Sequence, residues 1–161
     1  MSWTRIRHKL ENEYLADSLK GHIRYFATSY SKCPDHEGRA AILLDGEEII
    51  EGSYWEQWSN AHLLPQDKLS EGWHPYMDMD DTAVEYGMFD QQCLYNAFHE
   101  FDNQSIEKSM ASDNMLVRIF AVLDRRTGKR TLMKLLGNID SEPEVFRRFL
   151  EIRARAEGII K

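Results

Sequence analysis

The sequence predicts an α+β protein: an N-terminal helix plus a three-stranded antiparallel meander, with a helical C-terminal half packed against the sheet. Three observations carry this reading. Trp3, Ile6, Leu10 and Tyr14 fall three and four residues apart, which gives one face of a helix. Residues 22–50 are rich in aromatic and β-branched side chains and contain Asp45-Gly46, a two-residue hairpin signal. From residue 90 onward, apolar residues recur with the helical period.

Taken in order, Ser2 is placed to cap the first helix, which runs from Trp3 to about Tyr14, with an extension toward Leu19, and ends at Gly21. His22 to Lys32 reads as a strand, with Ile23, Tyr25 and Ala27 on one side and Phe26, Thr28 and Tyr30 on the other. Pro34, Asp35 and Gly38 supply a loop, Arg39–Leu44 a second strand and Glu47–Ile50 a third. SYWEQWSNAHLL, residues 53–64, predicts a short helix stopped before Pro65, since the residue preceding proline is pushed out of helical geometry. Residues 72–89 stay open. Val84, Tyr86 and Met88 alternate as a strand would, whereas Thr82-Ala-Val-Glu85 matches a capping box.

Beyond Asp90 the pattern is clearer. Phe89, Cys93, Leu94, Ala97, Phe98 and Phe101 line one broad helical face. Asp113 or Ser112 caps the next helix, Gly137 ends another, and Ser141-Glu-Pro-Glu144 opens the last. In that last helix Val145, Phe149, Ile152 and Ala156 make the buried stripe, and Arg147, Arg148, Glu151 and Arg155 lie outside it. At 161 residues one domain suffices. It divides into a helix and meander (1–52), an acidic aromatic connecting region (53–89) and a helical part (90–161).

No apolar run approaches the length of a membrane span, and the first residues lack the apolar stretch of a signal peptide, so a cytoplasmic protein is expected. Cys33 and Cys93 are too few and too far apart for a metal or redox framework and read as reduced thiols. Charge is segregated along the chain. Residues 1–32 carry a net +3, residues 33–104 a net −14 and residues 105–161 a net +4. The acidic middle repels phosphate backbones, so nucleic acid is disfavoured as a partner, and any such site must use the two ends.

The sharpest local question is Leu123-Asp-Arg-Arg-Thr-Gly-Lys-Arg130. The phosphate-loop template fails: Leu123 stands where the first glycine belongs, Arg130 follows Lys129, and helical periodicity precedes the motif. A helix-turn-helix fails too, because Asp124, Thr127 and Lys129 occupy the flanking positions that need apolar residues. What remains is a structural corner between helices. Arg125 and Arg126 sit in the last turn, Gly128 makes the turn, and Asp124 is placed to take a bidentate bond from Arg126 or Arg130. A nucleic-acid binder built on Arg125, Arg126, Lys129 and Arg130 is the corresponding functional alternative.

Ser2-Trp3-Thr4, Gly21-His-Ile-Arg-Tyr-Phe-Ala-Thr-Ser-Tyr30 and Arg118-Ile-Phe-Ala-Val-Leu-Asp-Arg-Arg-Thr-Gly-Lys-Arg130 together resemble a family of small uncharacterised bacterial proteins. The likeness covers roughly the first and last fifty residues. It implies a bacterial cytoplasmic protein, and it carries over no activity and no site residue.

Catalytic and metal templates do not close. His74, Asp78, Asp80, Asp81 and Glu85 gather potential ligands, yet the calcium-loop positions for glycine and glutamate hold Ala83 and Phe89. Cys33 and His36 sit at a hairpin tip without a second ligand pair, and His99-Glu100 meets Asn103 where H-E-x-x-H needs histidine. No cofactor and no metal is expected. Tyr54, Trp55, Trp58, Trp73, Tyr76 and Tyr86 are more suggestive, because tryptophan and tyrosine concentrate at interface centres. They supply core, a protein interface or a small-ligand site. The reading is therefore a non-enzymatic binding or regulatory protein with an acidic aromatic face, serving a basic protein partner or a homo-oligomer. A metal-assisted hydrolase using His74, Asp78 and Asp81 is the rival from another class.

Overall fold

The computed structural model describes residues 1–29, 38–69 and 72–161. Helix α1 (Trp3–His8) starts where Ser2 Oγ accepts the Arg5 N–H, and continues as a wider π-helical stretch, Lys9–Tyr14. It stops there because the next two residues are used elsewhere. Leu15 bridges Asp124, and the Ala16 N–H donates to the Leu123 carbonyl at 2.9 Å. Only a short 3₁₀ turn, Asp17–Leu19, follows, so the expected extension of the helix does not form.

Strands β1 (Ile23–Ser29), β2 (Gly38–Leu44) and β3 (Glu47–Ser53) form the predicted antiparallel meander, with Ile23 opposite Leu44 and Ile42 opposite Ile50. Ile23, Tyr25 and Ala27 face inward, as the alternation required. The Asp45-Gly46 turn joins β2 to β3, both residues at positive φ. Strand β3 runs three residues past the predicted end. Gly52 lets it press onto Phe89, whose backbone oxygen would lie 2.4 Å from any added Cβ. Tyr30, Cys33 and His36, with the Pro34-Asp35 tip, lie outside the described residues.

Helix α2 (Tyr54–Ser59) is followed by a 3₁₀ turn at Ala61–Leu63, and Leu64 is extended before Pro65 as expected. Residues 72–89 are helical, not a strand. Helices α3 (Pro75–Asp78) and α4 (Asp81–Glu85) occupy them, and α4 is capped by Asp80 through the Ala83 N–H at 3.0 Å rather than by Asp81 or Thr82.

Helix α5 (Gln91–Asp102) buries the predicted face and packs across β1 and β2. Helix α6 (Ile106–Met110), capped by Ser105, adds an element that the sequence reading lacked. Helix α7 (Met115–Leu123) buries eight of its nine residues, which makes it the centre of the core. Its cap is Asn114, one residue beyond the expected Asp113, because Ser112 Oγ instead accepts the Asn114 N–H. Helices α8 (Lys129–Gly137) and α9 (Glu144–Ala156) complete the fold. The buried stripe of α9 is rotated from the expected one. Val145, Phe146, Phe149, Leu150, Arg153 and Ala154 are buried and Ala156 is exposed, because α9 meets α7 and α4 on two sides. Among the described residues no helix is long and apolar enough to cross a membrane.

Candidate functional site

The basic corner is two sets of residues. Asp124 has a fully buried side chain that takes Arg126 in a bidentate pair, Nε at 3.0 Å and Nη2 at 2.8 Å, and also accepts the Arg126 N–H. Between the two arginines proposed from sequence, the partner is Arg126. Its guanidinium lies over Tyr14 and Phe101 at 5.0 and 5.5 Å. From α9 the buried Arg153 donates to the carbonyls of Val122, Asp124 and Thr127 at 2.7–2.9 Å. The Arg125 N–H reaches the Tyr14 carbonyl. The Tyr14 hydroxyl donates to Asp102, which also holds Lys9. Burial first, then Asp102, pushes the Tyr14 phenol up to about 12. Asp124, Arg126 and Arg153 thus fasten α7, α9 and the N-terminal segment together. The side chains of Arg125, Lys129 and Arg130 are exposed and make no ion pair among the described residues.

The acidic aromatic region assembles into a partly exposed row. Tyr54 at the start of α2 stacks on Tyr76 of α3, centroids 6.5 Å apart, and His74 lies tilted against Tyr76 at 6.1 Å. This contact brings together two helices with exposed apolar ends: Trp55 is 62% and Met77 83% exposed. Trp73 and Tyr86 lean on the core. The Trp73 indole N–H donates to Asp80 at 3.1 Å, and Lys68 caps its ring at 5.7 Å. Burial, then Asp90, raises the Tyr76 phenol. The Trp58 side chain lies outside the described residues. Of the predicted six, Tyr54 and Tyr76 stack on each other, Trp55 stands exposed, and Trp73 and Tyr86 are half-buried against the core. From Met77 and Asp78 an open groove of about 550 Å³ continues past Glu100, Lys108 and Asp113.

The His74, Asp78 and Asp81 grouping does not converge. Asp78 accepts the His74 backbone N–H at 2.6 Å, the His74 ring is turned onto Tyr76, and Glu85 is paired with Arg148. Asp80 caps α4 and binds Lys68 at 2.6 Å. Burial works to raise the Asp80 carboxyl, but hydrogen bonds from Lys68, Ala83 and Trp73 outweigh it and hold it below its ordinary range. Among the described residues, no three His, Cys, Asp or Glu side chains gather as a metal site requires.

A second carboxyl pair escaped sequence reading altogether. Glu51 of β3 and Glu56 of α2 share a hydrogen bond, and Asn60 donates to Glu56 Oε2 at 3.3 Å and to the Tyr86 carbonyl at 2.8 Å. Burial, then Glu51, raises the Glu56 carboxyl to about 7. Gly87, at φ 69°, makes room for it, since a Cβ there would lie 2.2 Å from Glu56 Oε2. The two glutamates belong to different elements, and only the strand-to-helix turn at Ser53 hinted that they could meet.

By fold this is an α+β protein, an N-terminal helix and a three-stranded antiparallel sheet joined to a set of C-terminal helices. The chain belongs to the SF0329 protein family, whose model matches residues 2–154. That match bears out the resemblance to an uncharacterised family, and it runs through the acidic middle, where the sequence alone offered no likeness. Comparison with curated proteins and with solved structures gives no match.

Proposed function

We propose that this chain is a non-enzymatic binding or regulatory protein that engages a basic protein partner through the acidic aromatic face of α2 and α3, within the bacterial cytoplasm. The observation that supports it is the Tyr54–Tyr76 stack, which sets the exposed Trp55 and Met77 on neighbouring helices of the most acidic part of the chain. Exposed aromatic and methionine side chains supply contact area, and the surrounding carboxylates select and steer a positively charged partner. A second copy presenting its basic α8 is the other partner of suitable charge, and sedimentation of the protein alone reports it.

Capture from a lysate of the source organism tests this reading. A basic protein should bind the tagged chain at low salt, leave at high salt, survive nuclease, and be lost on Trp55→Ala. If the Trp55→Ala and Met77→Ala chains capture the same proteins as the unmutated one, the face is not the docking surface. The exposed Arg125, Lys129 and Arg130 favour one rival, nucleic acid at the basic corner, and sensitivity of the captured material to nuclease is its signature.

A further inference from the structure

Between the end of β3, α2 and the turn after α4 lies a cleft of about 270 Å³, walled by Glu51, Glu56, Asn60, Gly87 and Arg148. That volume is below the usual range for a drug-sized ligand and suits one long side chain. The wall is of mixed character. Arg148 is tied by Nη2 to both oxygens of Glu85 at 3.0 Å and by Nη1 to the Ile49 carbonyl at 3.2 Å. Arg39 is committed to Glu48 and Glu51. Glu56 is different. It lines the cleft beside Glu51 with the Asn60 amide donating to it, and it makes no ion pair among the described residues.

We infer that this cleft receives an arginine side chain of the basic protein partner, its guanidinium gripped by the Glu51–Glu56 pair while the adjoining residues of the partner lie against Trp55. The inference rests on the docking surface proposed above and names what that surface recognises. Three features support it. Once the shared proton leaves, two carboxylates present a fan of acceptors that a planar five-donor guanidinium fills bidentately, whereas a lysine ammonium offers only a compact point charge. Glu56 follows Trp55 directly in α2, about 100° further round the helix, so a segment crossing that helix meets both. Gly87 lets the Glu56 carboxyl lie flat against the wall of the cleft, where a Cβ would stand 2.2 Å from its Oε2.

Binding then exchanges a proton for the guanidinium, and the proton goes to solvent. The carboxyl that loses it is raised to about 7, so affinity should climb between pH 6 and pH 8. The charged groups around Glu56 are Glu51, Glu48 and Arg39 on the sheet, Glu85 on α4 and Arg148 on α9.

The test uses the full isotope-labelled chain, titrated with N-acetyl-arginine amide and with N-acetyl-lysine amide and followed by backbone amide shifts at pH 6 and pH 8. The expected result is shifts centred on Glu51, Glu56, Asn60 and Gly87, and arginine binding at least about 5-fold tighter than lysine, strengthening with pH. Glu56→Gln should remove both the preference and the pH dependence, and Glu51→Gln should do the same should the first variant fold poorly. Equal binding of the two amides, shifts scattered over the acidic surface, or no shifts at all overturn the inference. The two readings fail separately. A captured basic partner lost on Trp55→Ala but indifferent to Glu56→Gln removes the arginine cleft and leaves the docking face. The arginine amide entering the cleft while Trp55→Ala leaves capture unchanged removes the docking face alone.

Discussion

The basic corner at residues 124–130 gathers cations and the α2 and α3 helices gather aromatic rings, and the fold treats the two regions in opposite ways. At the corner the buried charge is matched from within, since Asp124 holds Arg126 and Arg153 reaches three carbonyls from another helix, while Arg125, Lys129 and Arg130 stay exposed. On the aromatic face, large apolar side chains remain uncovered, and Glu56 has no cation of its own among the described residues. Burial of the counter-charge, rather than the density of charge along the chain, separates the residues that fasten helices from those left exposed.

The contrast can be broken most forcefully at Arg153. Replacing it by alanine strands three buried carbonyls and Glu157, and stability in urea denaturation should fall by about 3–5 kcal/mol. A loss below about 1 kcal/mol means the corner does not fasten α7 to α9. Gly87→Ala, at positive φ and against Glu56, should cost about 1–3 kcal/mol and weaken arginine-amide binding at the same time. On the aromatic face the pattern should reverse. Trp55→Ala should leave stability within about 0.5 kcal/mol while partner affinity drops about 10-fold or more, measured by interferometry on the captured protein. Arg130, an exposed cation without an ion pair among the described residues, should on replacement by alanine change stability by no more than about 0.5 kcal/mol, which would separate the exposed part of the corner from its buried part.

The smallest effect is a pH signature. Folding raises the Glu56 carboxyl from 4.5 to about 7, so the folded chain binds more protons than the unfolded one between those values. That contribution is full below pH 4.5 and is lost as pH rises through about 7. Glu56→Gln has no such proton to lose, so its melting temperature relative to the unmutated chain should rise from pH 5 to pH 8. Parallel profiles would place the raised carboxyl elsewhere. Glu51, Glu48, Arg39, Glu85 and Arg148 are the neighbours whose titration the comparison must hold constant.

Much of the secondary structure was legible because it is local. The Ser2 cap, the inward side of β1, the Asp45-Gly46 turn and the buried face of α5 follow from residues within a few positions of one another. The errors have a common cause. Asp80 rather than Thr82 caps α4, Asn114 rather than Asp113 caps α7, and α9 is rotated about its axis, because neighbours from elsewhere in the chain decide which of several competent residues is used. The strand alternative for residues 72–89 failed for a similar reason: Val84 and Met88 are both buried by tertiary contact, whatever their period.

By itself, then, the sequence determined the α+β class, the order of the main elements, the segregation of charge and the failure of the phosphate-loop and calcium-loop templates, since each depends on spacing or composition alone. Only the tertiary structure decided that Asp124 is buried and paired with Arg126 while Lys129 and Arg130 are exposed, that Tyr54 meets Tyr76, and that Glu51 and Glu56 line one cleft. These are properties of pairs. Whether a charge is satisfied, or an aromatic ring covered, depends on which distant side chain arrives beside it, and that is set by how the helices close over the sheet.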